Sequence, residues 1–367
     1  MEKILGNFGF GFMRLPMKDG EIDHKQICMM ADEFMDSGFN YFDTAHCYHD
    51  GKSETAIRKC VTERYDREKF VLTDKLTGMY FDKKEDILPY FETMLKECGT
   101  DYFDFFLMHA QKASVFEKYK KCEAYETAFK LKEQGRVRHV GISFHDTADV
   151  LDRILTEYPD IEIVQIQLNY LDYDDTAVQS GKCYDVCRRH GKPVIVMEPV
   201  KGGSLVDLPE PAAKVLDSLN GGSRASYAIR YAAGFDGVKM VLSGMSNIEQ
   251  MRDNLSFMKD FSPLNETEKE AVKKVREIIR SKNLVPCTAC SYCTEGCPKK
   301  IRIPDIFSCL NAKLIHNNWN SDFYYETCTD GHGKASDCIK CGKCENICPQ
   351  HLEIRKLLEK AAAEFEH

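Results

Sequence analysis

Short apolar runs alternate with amphipathic stretches over about the first 260 residues. Two of the runs, Phe105–Met108 and Val194–Met197, are almost continuous in apolar side chains, which is typical of parallel strands that are covered on both faces. Eight runs are predicted as strands: Phe8–Phe12, Asn40–Asp43, Phe70–Lys75, Phe103–His109, Val137–Ser143, Ile161–Gln167, Pro193–Pro199 and Lys239–Ser243.

The stretches between these runs have helical spacing: His24–Ser37, Glu54–Val61, Lys84–Cys98, Lys118–Gln134, Thr147–Glu157, Thr176–His190, Arg224–Ala233 and Asn247–Phe257. Eight strands that are each followed by a helix predict an α/β fold, a (β/α)8 TIM barrel. A doubly wound open sheet is the alternative. It is disfavoured because no glycine-rich dinucleotide loop follows an early strand, and the segment Gly9–Gly11 is too short and opens no helix.

The composition changes after Leu284 to cysteine, proline, lysine and short helical segments. A charged stretch with helical spacing, Asn265–Lys282, precedes this change. We therefore predict three parts: a barrel over residues 1–263, a helical linker over 264–283 and a small C-terminal domain over 284–367.

Charge and hydropathy exclude two classes of partner. The chain has 367 residues and a formal net charge of −8, with acidic and basic side chains interspersed. The lack of a basic stripe argues against nucleic acid, and no apolar stretch approaches the roughly 20 residues that span a bilayer. Because no basic leader followed by an apolar run is present, we expect a cytoplasmic protein without membrane or nucleic-acid partners.

Eight of the 17 cysteines fall into two runs with the same spacing, C-x2-C-x2-C-x3-C-P. In bacterial ferredoxins this run holds a 4Fe–4S cluster, and where two runs occur the fourth cysteine of each serves the other cluster. The sequence therefore predicts two clusters. The ligands of one are Cys287, Cys290, Cys293 and Cys348, and the ligands of the other are Cys338, Cys341, Cys344 and Cys297.

Structural zinc in two four-cysteine sites is the alternative, but zinc ribbons pair two C-x2-C hooks that lie far apart. The segments that follow the two runs, Pro304–Lys313 and Leu352–Ala363, have helical patterns. Residues 284–367 therefore resemble the α-helical dicluster ferredoxins. The nine other cysteines, Cys309 and Cys328 among them, are expected to be apolar side chains without a ligand role.

Four polar residues lie at the ends of successive predicted strands or in the loop just beyond: Asp43, Tyr48, Lys75 and His109. Catalytic residues of a (β/α)8 barrel occupy this end of the strands. Each residue alone also has an ordinary interpretation, as a helix cap, a loop aromatic, a surface charge or a core histidine. The four together favour an active site.

The sequence from Gly9 to about Leu264 resembles the aldo/keto reductase family. The similarity is carried by Phe42-Asp43-Thr44-Ala45 with Tyr48 and Ser53-Glu54, by Gly135–Ser143 and by Ser243–Asn247. It is greatest to the branch that carries a C-terminal dicluster 4Fe–4S domain. The resemblance implies that Tyr48 protonates a substrate carbonyl. Lys75, held by Asp43, would stabilise the phenolate, and His109 would orient the carbonyl oxygen.

The resemblance also implies a nicotinamide cofactor, NAD(P)H, with Ser143 and Gln165 at its carboxamide. The phosphate-binding loop and helix would contain Gly244, Met245, Asn247, Gln250 and Asn254. Two positions depart from the family pattern, because Phe144 replaces an asparagine and Met197 replaces the aromatic residue that stacks on the nicotinamide.

The basic pair that clamps a 2′-phosphate is missing, although Arg252 is nearby. NAD and NADP therefore both remain open, and so does a flavin in place of nicotinamide. The segment Lys201–Gly203 either forms a turn or reaches a pyrophosphate.

We therefore predict an oxidoreductase that interconverts a carbonyl and an alcohol, coupled to two 4Fe–4S clusters for electron transfer. A small carbonyl or alcohol would be the substrate, and a ferredoxin or other redox protein could be the partner. A hydride carries two electrons whereas a cluster accepts one, so the clusters serve a bound flavin or substrate radical, serve an external partner or are structural. The alternatives are an electron carrier or redox sensor whose barrel binds cofactor without turnover, and a flavin-dependent reductase.

Overall fold

The computed structural model describes residues 3–175, 178–281, 284–316 and 319–366. The chain divides into two compact units. The first consists of Met1–Pro199 and Ala225–Asn265, and the second consists of Val200–Arg224 and Glu266–His367. Residues 200–224 thus interrupt the first unit in the sequence but belong to the second.

Eight parallel strands form a closed barrel in the first unit: β1 (Phe8–Gly11), β2 (Tyr41–Asp43), β3 (Val71–Leu76), β4 (Phe103–Gln111), β5 (Val137–Phe144), β6 (Ile163–Gln167), β7 (Val194–Met197) and β8 (Val238–Ser243). The strands follow one another around the barrel, which closes where β1 pairs with β8. The predicted TIM barrel is confirmed, and the open sheet is excluded. A short antiparallel hairpin, Met17–Lys18 with Glu21–Ile22, follows β1.

The helices of this unit are α1 (His24–Asp36), α2 (Lys52–Ile57), α3 (Lys84–Cys98), α4 (Ala113–Lys121), α5 (Ala124–Glu133), α6 (Ala148–Glu157), α7 (Ser180–Arg189), α9 (Arg224–Ala233) and α10 (Ile248–Met258). The single helix predicted over Lys118–Gln134 is wrong. The chain breaks into α4 and α5 because Glu123 has a left-handed backbone with φ of 49°. The predicted start of another helix, Thr176, lies outside the described residues, and α7 begins at Ser180.

The alternation of side chains along each strand separates two cores. Phe10 and Phe42 point outward and pack against Phe34 of α1, with ring centroids 6.0 and 5.3 Å from it. The opposite parity fills the barrel interior with Tyr41, Val71, Phe105, Leu107, Ile163, Ile195, Met240 and Leu242. Gly141 lies in this layer because an added Cβ would come within 2.6 Å of Ile163. Side chains two residues further along β2 to β6 therefore face the end of the barrel.

The second unit is helical: α8 (Glu210–Asp217), α11 (Glu266–Ser281), α12 (Tyr292–Glu295), α13 (Ile303–His316), α14 (Trp319–Thr329), α15 (Lys343–Ile347) and α16 (Ile354–Phe365). Helix α8 packs against α11. The predicted helix Asn265–Lys282 corresponds to α11, with Lys282 outside the described residues. The two helical patterns that follow the cysteine runs correspond to α13 and α16. Within the described ranges, no helix is long and apolar enough to cross a bilayer.

Candidate functional site

Asp43 and Lys75 occupy inward positions at the ends of β2 and β3. Tyr41 and Thr73, two residues earlier, face the same interior, where the Thr73 hydroxyl donates to the Tyr41 oxygen at 2.6 Å. The fully buried Lys75 ammonium donates to Asp43 Oδ1 and to the carbonyl oxygen of Thr44, both at 2.6 Å. Adjacent parallel strands of matching register therefore place a buried ion pair at the barrel mouth.

The ion pair is satisfied on both sides. Burial raises the pKa of Asp43, and the ammonium of Lys75 opposes this rise. The second carboxylate oxygen accepts a hydrogen bond from Gln165 Nε2 at 3.2 Å. A buried ion pair is tolerated when its remaining hydrogen-bonding positions are filled, so these contacts fix the direction in which Lys75 presents its charge.

Tyr48 lies in the loop after β2, where its N–H donates to the carbonyl oxygen of Ala45 at 3.0 Å. The ammonium nitrogen of Lys75 is 4.9 Å from the centroid of the Tyr48 ring. The His109 ring, at the end of β4, is 6.0 Å from the Tyr48 ring at an interplanar angle of 81°. The four residues that were singled out from the sequence thus converge at one end of the barrel.

His109 is held by a residue that the sequence analysis missed. Thr77 Oγ1 is 2.7 Å from His109 Nδ1. Burial lowers the pKa of His109 well below its ordinary value, and the nearby Lys75 lowers it further. The imidazole is therefore neutral at physiological pH, with Nδ1 paired to a hydroxyl. The only sequence signal for this role was a threonine two positions after Lys75.

A second polar cluster includes Asp74, the residue before Lys75. Glu54, Asp74 and Cys98 are buried, and one ligand-type atom of each lies within 4.8 Å of the others. Burial raises the pKa of Glu54 to about 8, and burial together with Glu54 raises the pKa of Asp74. His46 Nδ1 is 2.6 Å from Glu54 Oε2. The two carboxyl groups therefore hold at least one proton at neutral pH.

Ser143, near the end of β5, and Gln165, in the middle of β6, are register partners. Ser143 Oγ accepts the N–H of Ala110 at 2.8 Å, which anchors the irregular backbone that follows His109. Gln165 donates to Asp43, as described above. The two predicted carboxamide contacts are therefore adjacent to the tetrad formed by Asp43, Tyr48, Lys75 and His109. Both also support its geometry. Phe144 is buried next to Ser143.

The predicted phosphate-binding segment connects β8 to α10. Asn247 Oδ1 caps α10 by accepting the N–H of Gln250 at 2.8 Å, and Gln250 Oε1 accepts the N–H of Ser246 at 2.8 Å. Asn254 Nδ2 donates to Ser243 Oγ at 2.8 Å, and Met245 is buried. These side chains therefore stabilise the loop by hydrogen bonds within the segment.

Two arginines lie near this segment. An added Cβ on Gly244 would be 3.4 Å from Cβ of Arg14, and Ser246 Oγ donates to the carbonyl oxygen of Arg14 at 2.9 Å. Arg14 follows β1, and its position beside β8 could be anticipated only from barrel closure. Arg252, noted from the sequence, forms an exposed ion pair with Glu33, with Nε 2.9 Å from Oε2.

The eight motif cysteines of the second unit line two recesses. The first recess is lined by Cys287, Cys290, Cys293 and Cys348. The second recess is lined by Cys338, Cys341, Cys344 and Cys297. Each therefore gathers three cysteines of one run and the fourth of the other, in the two sets named from the sequence. Cys309 and Cys328 line neither recess.

The two runs share a backbone conformation as well as a spacing. Ala289 and Ser291 have φ of 53° and 64°, and their counterparts in the second run, Lys340 and Gly342, have φ of 57° and 74°. L-residues adopt this left-handed conformation only where the fold requires it. Here it turns the chain so that three thiols face one point.

The surroundings of the eight thiols favour metal binding over disulfide formation. All eight are free. Burial raises the pKa of Cys293, and its neighbours Cys290, Cys287 and Cys348 raise it further. Bound iron would replace the protons and offset part of the charge of four converging thiolates. The donor set and the recess therefore fit a 4Fe–4S cluster.

Comparison with known proteins agrees with this geometry. Residues 7–277 match the model of the Aldo/keto reductase family, and residues 286–353 match a 4Fe-4S dicluster domain. An uncharacterized oxidoreductase of Bacillus subtilis is 24% identical over 284 residues, covering 68% of this chain and 86% of that protein. A putative voltage-gated potassium channel subunit beta of Schizosaccharomyces pombe is 28% identical over 231 residues, covering 58% of this chain and 62% of that protein.

Solved structures share the barrel fold. An aldo-keto reductase from Bacillus halodurans in its holo form has a TM-score of 0.61 and 24% identity, covering 74% of this chain and 92% of that one. An aldo-keto reductase from Klebsiella pneumoniae in complex with NADPH has a TM-score of 0.59 and 18% identity, covering 74% of this chain and 90% of that one.

Proposed function

Because the chain belongs to the aldo/keto reductase family and carries a 4Fe-4S dicluster domain, we propose that it interconverts a carbonyl and an alcohol in its barrel and exchanges electrons through two 4Fe–4S clusters. The observation that carries the proposal is the convergence of Lys75 and His109 on the ring of Tyr48, at 4.9 and 6.0 Å.

Tyr48 is the proposed proton donor. Reduction of a carbonyl by hydride leaves an alkoxide that must gain a proton, and a tyrosine with the ordinary pKa of about 10 is a reluctant donor at neutral pH. The ammonium of Lys75 stabilises the phenolate that remains after transfer. Asp43 keeps that ammonium in place through the 2.6 Å contact.

His109 is the proposed group that orients the carbonyl oxygen. Its imidazole is neutral, so only one ring nitrogen carries a proton. If the Thr77 hydroxyl donates to Nδ1, the proton is on Nε2, which then donates to the substrate oxygen. Thr77 is thus a positioning residue that selects the tautomer through its 2.7 Å contact.

A nicotinamide dinucleotide, when bound, supplies the hydride. Ser143 and Gln165 are the proposed carboxamide contacts beside the tetrad, and the loop Gly244–Asn247 with the start of α10 is the proposed pyrophosphate site, where Arg14 adds a cation. The Klebsiella relative binds NADPH. In this chain, however, Arg252 is paired with Glu33, so we expect NADH to be accepted at least as well as NADPH.

The first cluster is proposed to be held in the first recess and the second cluster in the second. Each cluster supplies one-electron chemistry when bound. Cys341 is exposed, and Ile339 beside it is 56% exposed. A small redox protein such as a ferredoxin can therefore approach the second cluster directly, and we propose it as the exchange point with an external partner.

The test is an anaerobic assay of the full chain. The purified protein should contain iron and sulfide for two clusters, and it should oxidise NADH or NADPH when a suitable carbonyl is added. Partial bleaching of the cluster absorbance by the nicotinamide would show that electrons pass between the barrel and the clusters. A colourless, iron-free protein would refute the cluster proposal and favour zinc.

A second candidate function is an electron carrier or redox sensor whose barrel binds the cofactor without turning it over. The buried Phe144 favours it, because an apolar ring stands next to Ser143 at the predicted carboxamide site. Cofactor binding without turnover of any carbonyl would support this candidate. A flavin-dependent reductase would be recognised by flavin absorbance in the same spectrum.

A further inference from the structure

Lys201 is a fully buried lysine of the second unit. It lies in a turn in which Lys201, Gly202 and Gly203 have φ of 48°, 64° and 103°. Of the two interpretations of this segment, the structure shows the turn. The Lys201 ammonium donates to Gln350 Oε1 at 2.9 Å. A buried cation is retained only where nearby groups compensate it, so its surroundings indicate what it serves.

Gln350 lies two residues after Cys348 and lines the first recess. Lysine has only donors, so the amide atom that faces Lys201 must be the oxygen. The N–H2 group is consequently turned away from Lys201. Its nitrogen is buried, and no atom of the described residues accepts a hydrogen bond from it. A buried donor without an acceptor is costly, which points to an acceptor in the recess.

We propose that Lys201 and Gln350 form a hydrogen-bond relay to the first cluster and raise its reduction potential. The relay rests on the proposed function, since it needs a cluster in the first recess. A cluster that has gained one electron is more negative by one charge. The Gln350 N–H donor, polarised by the Lys201 ammonium, stabilises that reduced form more than the oxidised form.

The second recess provides an internal comparison. Lys299 follows Cys297 and Pro298 just as Gln350 follows Cys348 and Pro349. Lys299 also lines its recess, but it is exposed, and solvent screens exposed charges. A buried cation that acts through an amide is therefore expected to have a larger effect than an exposed one at the matching position.

The experiment is a potentiometric titration followed by EPR. The full chain is loaded anaerobically, and iron and sulfide are quantified for the wild type and for Lys201→Met, Lys201→Arg, Gln350→Leu and Lys299→Met. Lys201→Met should lower one of the two midpoint potentials by roughly the 59 mV that corresponds to a tenfold change in the ratio of reduced to oxidised cluster. Gln350→Leu should lower the same midpoint. The double variant Lys201→Met/Gln350→Leu should lower it little further than either single variant does.

Two variants serve as controls. Lys201→Arg keeps the cation and should retain most of the wild-type midpoint, while Lys299→Met should leave that midpoint unchanged. Cys290→Ser, which alters a ligand of the first cluster, identifies which signal belongs to it.

Unchanged midpoints in loaded Lys201→Met or Gln350→Leu protein would overturn the relay and leave the clusters in place. If Lys201→Met fails to load, Gln350→Leu decides alone. A wild-type protein that binds no iron would instead refute the proposed function.

Discussion

The barrel mouth and the cysteine recesses hold reactive side chains in place by different means. In the barrel, protein groups fix each side chain: Lys75 and Gln165 hold Asp43, and Thr77 contacts His109. In the recesses, left-handed turns such as those at Ser291 and Gly342 direct thiols toward one another, although like charges so close together disfavour ionisation.

This difference indicates which of the two sites keeps its geometry without a bound ligand. Asp43, Lys75 and His109 are held by hydrogen bonds to other protein groups, so their geometry does not depend on a ligand. The thiols of the recesses belong to the apolar core of their unit, where Cys293 and Cys348 are buried. Four thiols converge in each recess, at the expected position of a cluster. Removal of ligands should therefore affect the two units unequally.

Removal of iron is expected to have the largest effect. Anaerobic chelation should abolish most hydrogen-exchange protection in residues 284–366, because metal binding contributes directly to folding, by about 10–16 kcal/mol for structural zinc in small peptides. The barrel strands should keep their protection and their affinity for NADH. Reloading with iron and sulfide should restore the second unit. Equal loss of protection in both units would refute the comparison.

Tyr48→Phe should remove chemistry from the barrel without affecting the clusters. We expect kcat for carbonyl reduction to fall by roughly 10²–10⁴-fold, which is the usual contribution of a positioned proton donor. The dissociation constant for NADH, measured by calorimetry, and both cluster midpoints should stay unchanged. Tyr80→Phe, in the loop after β3, is the matched control. Full activity in Tyr48→Phe would remove the assignment of the proton donor.

Glu54→Gln tests whether the buried carboxyl group of Glu54 destabilises the barrel as the pH rises. The pKa of Glu54 is raised in the folded state from 4.5 to about 8, so the folded state binds more protons than the unfolded state between these values. The free energy of unfolding should therefore fall as pH rises from about 4.5 to about 8, by a few kcal/mol in order of magnitude. In Glu54→Gln this decrease should be smaller, as measured by denaturant unfolding followed by exchange in the barrel strands. If the free energy of unfolding of Glu54→Gln depends on pH as steeply as that of the wild type, Glu54 is not the source of the decrease.

Thr77→Val should have the smallest effect, because it perturbs only the orientation of His109. We expect kcat to fall about tenfold with little change in KM for the cofactor, as is reasonable for loss of one positioning hydrogen bond. Thr77→Ser retains the hydroxyl and should recover most of the activity. If valine and serine behave alike, the hydroxyl does not select the tautomer.

Sequence reasoning reached furthest where the pattern is local. The period of apolar residues predicted the eight strands, and the position of polar residues at strand ends led to Asp43, Tyr48, Lys75 and His109. Thr77 and Arg14 were missed because their roles depend on which side chains reach across neighbouring strands or across the closure of the barrel. That information is absent from spacing along the chain.

The same limit applies to the second unit: local spacing is predictive, and long-range packing is not. Cysteine spacing predicted which thiols share a recess, since a short loop leaves little freedom. The break at Glu123 and the grouping of residues 200–224 with the C-terminal helices were not foreseen, because each depends on packing partners far away in the sequence.

The grouping of residues 200–224 bears on how such a protein can be trimmed or assembled. A shortened chain that stops at Asn265 would retain α8 but lose α11, against which it packs, so Ala212, Ala213 and Leu216 would lose part of their cover. Residues 200–224 and α11 therefore pack as one body. A chain that stops at Asn265 should be less soluble than one that keeps α11.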